Sequence, residues 1–282
     1  MIDRRQSGPD SIPPRARRGL LVGVVLAGLL FAPSLSRAED EALRSSFSGF
    51  VEAAPQVVVQ RGRGSVGTNF NVTGRKANFV TNMTFRLGGG VKGPEFESIW
   101  GKPRPVLFAG ALIPINESST VGTQVVETSV PQTGTETIEF SKFSIEYQTS
   151  AVAGFGMEFV VPFFDSELAI TPAIESLHLV TRYVGEASLQ LNTTGSSVTQ
   201  AVRAKEEIVQ HFLGPALRVG TPTFVFHGVA VDFFLDVSLL FDVAGTRKAF
   251  SASGQGSDRG TFTFETGTGV AQIGSGFQLR WP

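Results

Sequence analysis

Residues 229–243, VAVDFFLDVSLLFDV, place a large apolar side chain at every second position without a break. Every odd position is Val, Leu or Phe, whereas Asp232, Asp236 and Asp242 stand at even positions. A period of two places successive side chains on opposite faces of a β-strand. These 15 residues exceed the usual five or six of a soluble strand, and a bilayer-spanning strand needs about 9–11. The segment therefore predicts a transmembrane strand, apolar toward lipid and charged toward a lumen.

A second long segment, residues 142–161, follows the same rule. Its odd positions are mostly apolar, and Lys142, Glu146 and Glu158 occupy even positions. We expect one continuous strand with these three charges facing inward. A long-stranded soluble sandwich is the alternative, because periodicity alone does not tell which face meets lipid.

The composition excludes several classes of protein. The chain has 282 residues, no Cys, 24 Phe, 32 Gly and only 17% charged residues, whereas soluble domains usually contain about 25% charged residues. Without Cys there is no disulfide scaffold, thiol catalyst or Cys-based metal site. The formal net charge of −1 gives no electrostatic footprint for nucleic acid.

The N-terminal region has the three parts of a secretory signal. Three arginines precede the apolar run of residues 19–32, and a small-residue cleavage motif ends at Ala38. Since a membrane-spanning helix needs about 20 apolar residues, an anchor is the less favoured alternative. The sequence predicts a signal peptide at 1–38 and an outer-membrane β-barrel domain at 39–282.

The last ten residues alternate as well, with Phe277, Leu279 and Trp281 on one face. This segment resembles the C-terminal strand of Gram-negative outer-membrane β-barrel proteins, where it acts as an insertion signal. The resemblance implies an outer-membrane location and both strand termini in the periplasm. It also implies four kinds of partner, namely outer-membrane lipid and the secretion, chaperone and barrel-insertion machinery.

The size resembles that of small OmpA/OmpX-type barrels, so the fold class is an all-β, antiparallel, up-and-down transmembrane β-barrel. We predict eight strands, with ten as the alternative. The weakest is residues 51–60, which contain Pro55, and a phase slip is expected near residues 175–176. The others are residues 77–89, 106–116, 140–161, 168–183, 207–219, 227–243 and 261–281.

The connections of this barrel are predicted to be asymmetric, long outside and short inside. The four outer segments are rich in Gly, Ser and Thr, and we expect loops there. These outer loops are residues 61–76, 117–139, 185–205 and 244–260. The inner turns are residues 162–167 and 220–226, with a longer one at residues 90–105.

The inward phase of these strands collects charged side chains in the lumen. An eight-stranded barrel has room only for its own side chains, so buried charges there must pair. Four basic and five acidic groups nearly balance, which favours a salt-bridged plug over the alternative, a narrow polar path. The predicted lumen charge network is Arg86, Lys142, Glu146, Glu158, Arg218, Asp232, Asp236, Asp242 and Arg280.

No motif in the sequence indicates catalysis. The glycines of residues 62–67 lack the strand and helix context of a nucleotide site, and His178, His211 and His227 are far apart in sequence. We therefore expect no enzyme, cofactor or metal site. The predicted function is a structural or surface-interaction role through the outer loops. The alternative is a narrow channel or transporter for small or hydrophobic solutes.

Overall fold

The computed structural model describes residues 46–68, 72–115, 119–130, 134–164, 166–193, 196–221, 224–226, 229–245, 249–253 and 260–281. The predicted signal peptide and His227 lie outside these residues. None of the described segments is a helix that could cross a membrane. The strands are β1 (Ser48–Thr68), β2 (Val72–Lys92), β3 (Arg104–Pro114), β4 (Ser119–Val130), β5 (Gly134–Tyr147), β6 (Ser150–Phe163), β7 (Ser166–Thr193), β8 (Ser196–Gly220), β9 (Phe224–Phe226), β10 (Val229–Asp242), β11 (Ala249–Ser253) and β12 (Gly260–Trp281).

Eight of these strands form a closed antiparallel ring. The hydrogen-bonded order is β1-β2-β3-β6-β7-β8-β10-β12, and β12 pairs with β1 to close it. The prediction of an eight-stranded barrel is therefore confirmed over the alternative of ten. Gly49 pairs with Trp281, so the start of β1 and the end of β12 lie together at one end of the barrel, here called the terminal end. The opposite end is the distal end.

The prediction of long outer loops is wrong for residues 61–76, 117–139 and 185–205, which are strand wherever the structure describes them. In the fourth segment, residues 244–260, the described part contains β11. β7 and β8 stay paired to Thr193 and Ser196, and β1 and β2 stay paired to Gly67 and Val72. β4 and β5 form a hairpin, and β5 continues the pairing with β7 that β6 begins. Runs of Thr, Ser and Val suit strands as well as loops, and local composition carries no information about a cross-strand partner.

The outer surface of the wall changes character along its length. On β8, Val209, Leu213 and Leu217 point outward and are exposed. Beyond them the outward residues are charged, including Lys205 and Glu207 on β8. We call the apolar zone, which includes residues 166–180 and 209–220, the membrane band. The zone beyond it, which includes residues 134–147, 181–193 and 196–208, is the distal extension.

The membrane band exposes large apolar side chains on every strand of the ring. A water-soluble monomer does not expose a continuous apolar surface of this kind, whereas a bilayer-spanning barrel presents one about 25 Å tall. Examples from five strands are Val51, Leu87, Leu107, Phe155 and Leu239.

A bulge between β5 and β6 reverses the phase of the predicted strand 140–161. Tyr147 pairs with Thr181 and Ala151 pairs with His178. Between these two pairs the chain advances by four residues from β5 to β6 but by only three along β7, so the β5–β6 side contains one extra residue. The Ser150 hydroxyl stabilises this bulge because it accepts from the Val180 amide at 3.0 Å and donates to the Gln148 carbonyl at 2.9 Å. Such an extra residue sends every side chain beyond it to the opposite face.

β7 has no phase slip, contrary to the slip expected near residues 175–176. Its odd residues point inward from Thr171 to Ala187, and its even residues Ile174, Ser176 and His178 point outward. The reversal of phase expected in β7 therefore occurs instead between β5 and β6, the two strands that pair with it on one side.

Candidate functional site

The lumen inside the membrane band is filled by two clusters of charged side chains. The basal cluster lies nearer the terminal end. Lys92 and Arg104 both contact Glu158, at 2.6 and 2.7 Å, while Arg280 contacts Asp232 at 3.4 Å. The Gln278 amide also donates to Asp232 at 3.4 Å. Three cations and two carboxylates therefore share the base of the lumen.

The middle cluster is centred on two arginines. The Arg86 guanidinium contacts Glu52 at 2.8 Å, Glu175 at 3.1 Å and Asp236 at 3.3 Å. Arg218 also contacts Glu52, at 2.7 Å, and lies 3.9 Å from Asp236. The middle cluster therefore contains two cations and three carboxylates. Its one extra negative charge balances the one extra positive charge of the basal cluster.

The two clusters together are neutral, with five cations and five carboxylates. Most of these side chains are almost fully buried; Arg86 is 1% exposed and Arg280 is 1% exposed. Buried ions cost several kcal/mol each to desolvate unless they are paired in good geometry. The pairing is what makes this interior compatible with the apolar wall around it.

Aromatic rings line the charged clusters. The Arg218 guanidinium lies 4.0 Å from the Phe234 ring centroid, and Arg86 lies 4.9 Å from that of Phe108. A Cβ added at Gly154 would overlap the Phe108 ring, so the ring occupies the space above that glycine. The rings fill volume between the charges and add cation–π attraction.

Above the middle cluster the buried side chains of the described residues are uncharged. The Gln60 amide donates to Gln210 at 2.8 Å, and the Tyr147 hydroxyl donates to Gln60 at 3.3 Å. Gln210 in turn donates to the Gly267 carbonyl at 3.3 Å. This glutamine layer spans the lumen from one side of the wall to the other.

The distal extension encloses an aromatic core. Phe143, Phe262, Phe264 and Tyr183 pack edge to face or stacked, with ring centroids 5.7–6.4 Å apart. The Phe143 ring covers Gly64, and the Phe262 ring covers Gly185, where a Cβ would overlap the ring. The high Phe and Gly content is thus explained in part by rings that pack flat over inward glycines.

Little open space remains in the charged zone of the lumen, as the described residues line it. Among the described residues, two small cavities of about 30 and 20 Å³ lie within the charged zone. Lys92, Glu158 and Gln278 line both cavities. A water molecule occupies roughly 10–15 Å³ on this measure, so each cavity has room for only one to three waters.

The structure brings six of the nine predicted lumen charges together and leaves three out. Arg86, Glu158, Arg218, Asp232, Asp236 and Arg280 lie in the two clusters.

Lys142 and Glu146 were placed on the wrong face because of the bulge after β5. Phe143, Ile145 and Tyr147, expected outside, are instead buried inside. Glu146 lies 3.6 Å from Arg182, and both side chains are partly exposed. Asp242 is also outside the clusters. It lies at the end of β10, where its carboxylate accepts from the Ala244 amide at 3.1 Å.

Four charged members of the clusters were missed from the sequence. Glu52 lies in the weak first strand, and Glu175 was obscured by the expected phase slip. Lys92 and Arg104 were assigned to the inner turn, but they are the last residue of β2 and the first of β3. Lys92 lies six residues after Arg86, so strict alternation along β2 would have placed its side chain on the same inward face.

The three residues of the predicted C-terminal insertion signal point outward in the membrane band. Phe277 and Trp281 are exposed, and Leu279 is partly exposed on the same face. They therefore meet the surroundings of the barrel and not its lumen. The indole of Trp281 approaches Gly49 on β1.

No protein-family model and no curated protein matches this sequence. Solved structures to which it is similar are outer-membrane β-barrel proteins, the class that its C-terminal strand resembles. A major outer membrane protein from Thermus thermophilus gives a TM-score of 0.35 at 11% identity, covering 83% of this chain and 99% of that chain.

Two further similar structures come from Yersinia pestis and Escherichia coli. Ail, the attachment invasion locus protein of Y. pestis, gives a TM-score of 0.20 at 10% identity and covers 80% of this chain and 99% of that chain. The outer membrane protease OmpT of E. coli gives 0.30 at 7% identity, covering 88% and 99%. These likenesses are too low to indicate a ligand, a partner or an activity.

Proposed function

We propose that this chain is an integral outer-membrane protein whose lumen is closed and which acts through the surface of its distal extension. The observation that carries the proposal is the filled lumen, in which ten paired charges lie below a glutamine layer and an aromatic core. A conduit needs a continuous wet path, and the two cavities of about 30 and 20 Å³ end below that layer.

The outward face supports the membrane location. The outward residues of β8 from Val219 back to Val209 span 11 residues and are apolar except for His211, and a transmembrane strand needs about 9–11. Charged residues then follow at once on the same face. This boundary is what we expect where a barrel wall leaves the bilayer.

The distal extension supports the surface role. Its walls are hydrogen-bonded strands with a packed core, and they carry outward ion pairs such as Arg203–Glu186 at 3.1 Å and Arg63–Glu265 at 3.4 Å. A rigid, charged barrel beyond the membrane offers a defined surface to a partner or to a neighbouring cell. We further propose that this role is structural or adhesive and not catalytic.

Single-channel recording in a planar bilayer tests the closed lumen. The folded state is first shown by a heat-dependent shift in gel mobility, and a known porin in the same membrane shows that openings are detectable. We expect a folded protein that gives no openings. Steady, reproducible openings of the folded protein would overturn the proposal.

A narrow conduit is the second candidate, favoured by the continuity of the two cavities through Lys92, Glu158 and Gln278. In that case Asp232→Ala and Asp236→Ala change conductance or uptake while the barrel folds normally. In a closed lumen the same variants lower stability and leave the bilayer silent. Thermal unfolding and conductance of the same preparations therefore separate the two functions.

A further inference from the structure

Two of the three histidines in the sequence meet on the outside of the barrel. His178 on β7 and His211 on β8 are directly opposite in the antiparallel register. Their side chains point outward and are exposed, with ring centroids 4.6 Å apart and an angle of 61° between the rings. Their separation of 33 positions explains why their sequence spacing did not indicate a pair.

The separation of the two ring nitrogens fits a shared metal ion. Nδ1 of His178 lies 3.3 Å from Nδ1 of His211. Zinc binds imidazole nitrogen at about 2.0–2.1 Å in tetrahedral geometry, which places two such nitrogens roughly 3.3–3.4 Å apart. The same 3.3 Å separation also allows one ring to donate a hydrogen bond to the other when one Nδ1 carries the proton.

The pair lies close to the charged residues of the distal extension, separated from them by one outward row. His211 is followed toward the distal end by outward Val209 and then by exposed Glu207, and Arg182 on β7 pairs with Glu207 at 3.4 Å. The pair therefore stands at the upper edge of the membrane band. Among the described residues there is no group of three or more His, Cys, Asp and Glu that would form a fuller protein site.

We infer that His178 and His211 bind one divalent transition-metal ion of the Zn²⁺ class, with the remaining coordination positions filled by water. Imidazole is a preferred ligand for Zn²⁺, Cu²⁺ and Ni²⁺. The bound ion links β7 to β8 at the level where the wall leaves the membrane band. It therefore stabilises the β7–β8 hairpin against opening from its distal end.

The test is a titration of tag-free, folded protein in detergent micelles with Zn²⁺ by calorimetry, and with Co²⁺ by visible absorption. We expect one Zn²⁺ per chain and the strong absorption of tetrahedral Co²⁺. His178→Gln and His211→Gln should each weaken binding by more than about tenfold, since even the loss of a residue supporting a ligand costs 10–100-fold.

His227→Gln is the matched control, because it removes the third histidine and should leave the binding unchanged. The heat-dependent gel shift shows for each variant that the barrel is folded. Binding to the His178→Gln/His211→Gln double variant equal to that of the unaltered protein would overturn the inference. So would an unaltered protein that does not bind Zn²⁺, which would leave the pair as a hydrogen bond only.

Discussion

The membrane band and the distal extension have opposite polarity, although several strands run through both. In the band the wall is apolar outside, and charges such as Arg86 and Glu52 fill its interior. In the extension the outside carries ion pairs such as Arg203–Glu186, and the interior is aromatic. The comparison shows how one barrel can meet both lipid and water. Its outer face is apolar where it meets lipid and charged where it meets water, and the polarity of its interior changes in the opposite sense.

The two interiors also differ in how they are held together. The band depends on a neutral set of buried ion pairs, for which loss of one partner leaves an uncompensated charge. The extension depends on apolar contact, for which loss of a ring leaves a cavity. Their energetics can therefore be separated by substitution.

Arg86→Met should have the largest effect, because it removes the cation that contacts three carboxylates. We expect a loss of about 5 kcal/mol in the free energy of unfolding, at the upper end for a broken buried pair. Urea titration in lipid vesicles, followed by tryptophan fluorescence, measures it. Arg61→Met, at an exposed outward arginine, is the control, and equal losses for the two variants would contradict the ionic interior.

Phe264→Ala tests the aromatic core, in which this ring contacts Phe143, Phe262 and Tyr183. We expect a loss of about 3–4 kcal/mol from the cavity left behind. Hydrogen exchange should show the loss of protection mainly in the distal extension. If protection fell instead around the charged clusters, the two regions would not be separable units.

Leu239→Arg tests which surface meets lipid, since Leu239 is exposed within the membrane band. An arginine there should lower the free energy of unfolding by about 2–3 kcal/mol in vesicles. The matched change Lys205→Leu, at an outward position of the extension, should cost little in the same titration. Equal losses in the free energy of unfolding for the two variants would show that the membrane band does not end between these two positions.

Glu186→Gln should have the smallest effect, because its partner Arg203 is more than half exposed. We expect less than about 1 kcal/mol, which is typical of surface pairs, and less still at high salt. Unfolding titrations at two salt concentrations measure it. A salt-insensitive loss of several kcal/mol would show that this face of the extension is covered by something other than water.

Much of the band could be predicted from the sequence. β10 and β12 follow the alternation closely, and Asp232, Asp236 and Arg280 lie on the predicted inward side. The prediction failed at the bulge after Tyr147, because a single extra residue leaves no mark in composition yet moves Lys142 and Glu146 to the outer face. It failed in the extension because Gly, Ser and Thr are common to loops and to strands.

The partners within the clusters were beyond sequence reasoning for a different reason. Arg218 and Glu52 are separated by 166 residues, and only the strand register brings them within 2.7 Å. The same holds for His178 and His211, which meet because β7 and β8 pair at that row.

The sequence by itself determined the class of fold, because alternation with a period of two and a length beyond nine residues fit a membrane-spanning strand. It also determined the polarity of the two faces of strands such as β10 and β12, whereas the even number of strands followed from the resemblance of the C-terminal strand to known barrels. Only the tertiary structure decided which charges pair, where the phase reverses and that the strands continue beyond the membrane. Those features depend on register between distant segments, and register is fixed by closure of the whole ring and not by any one strand.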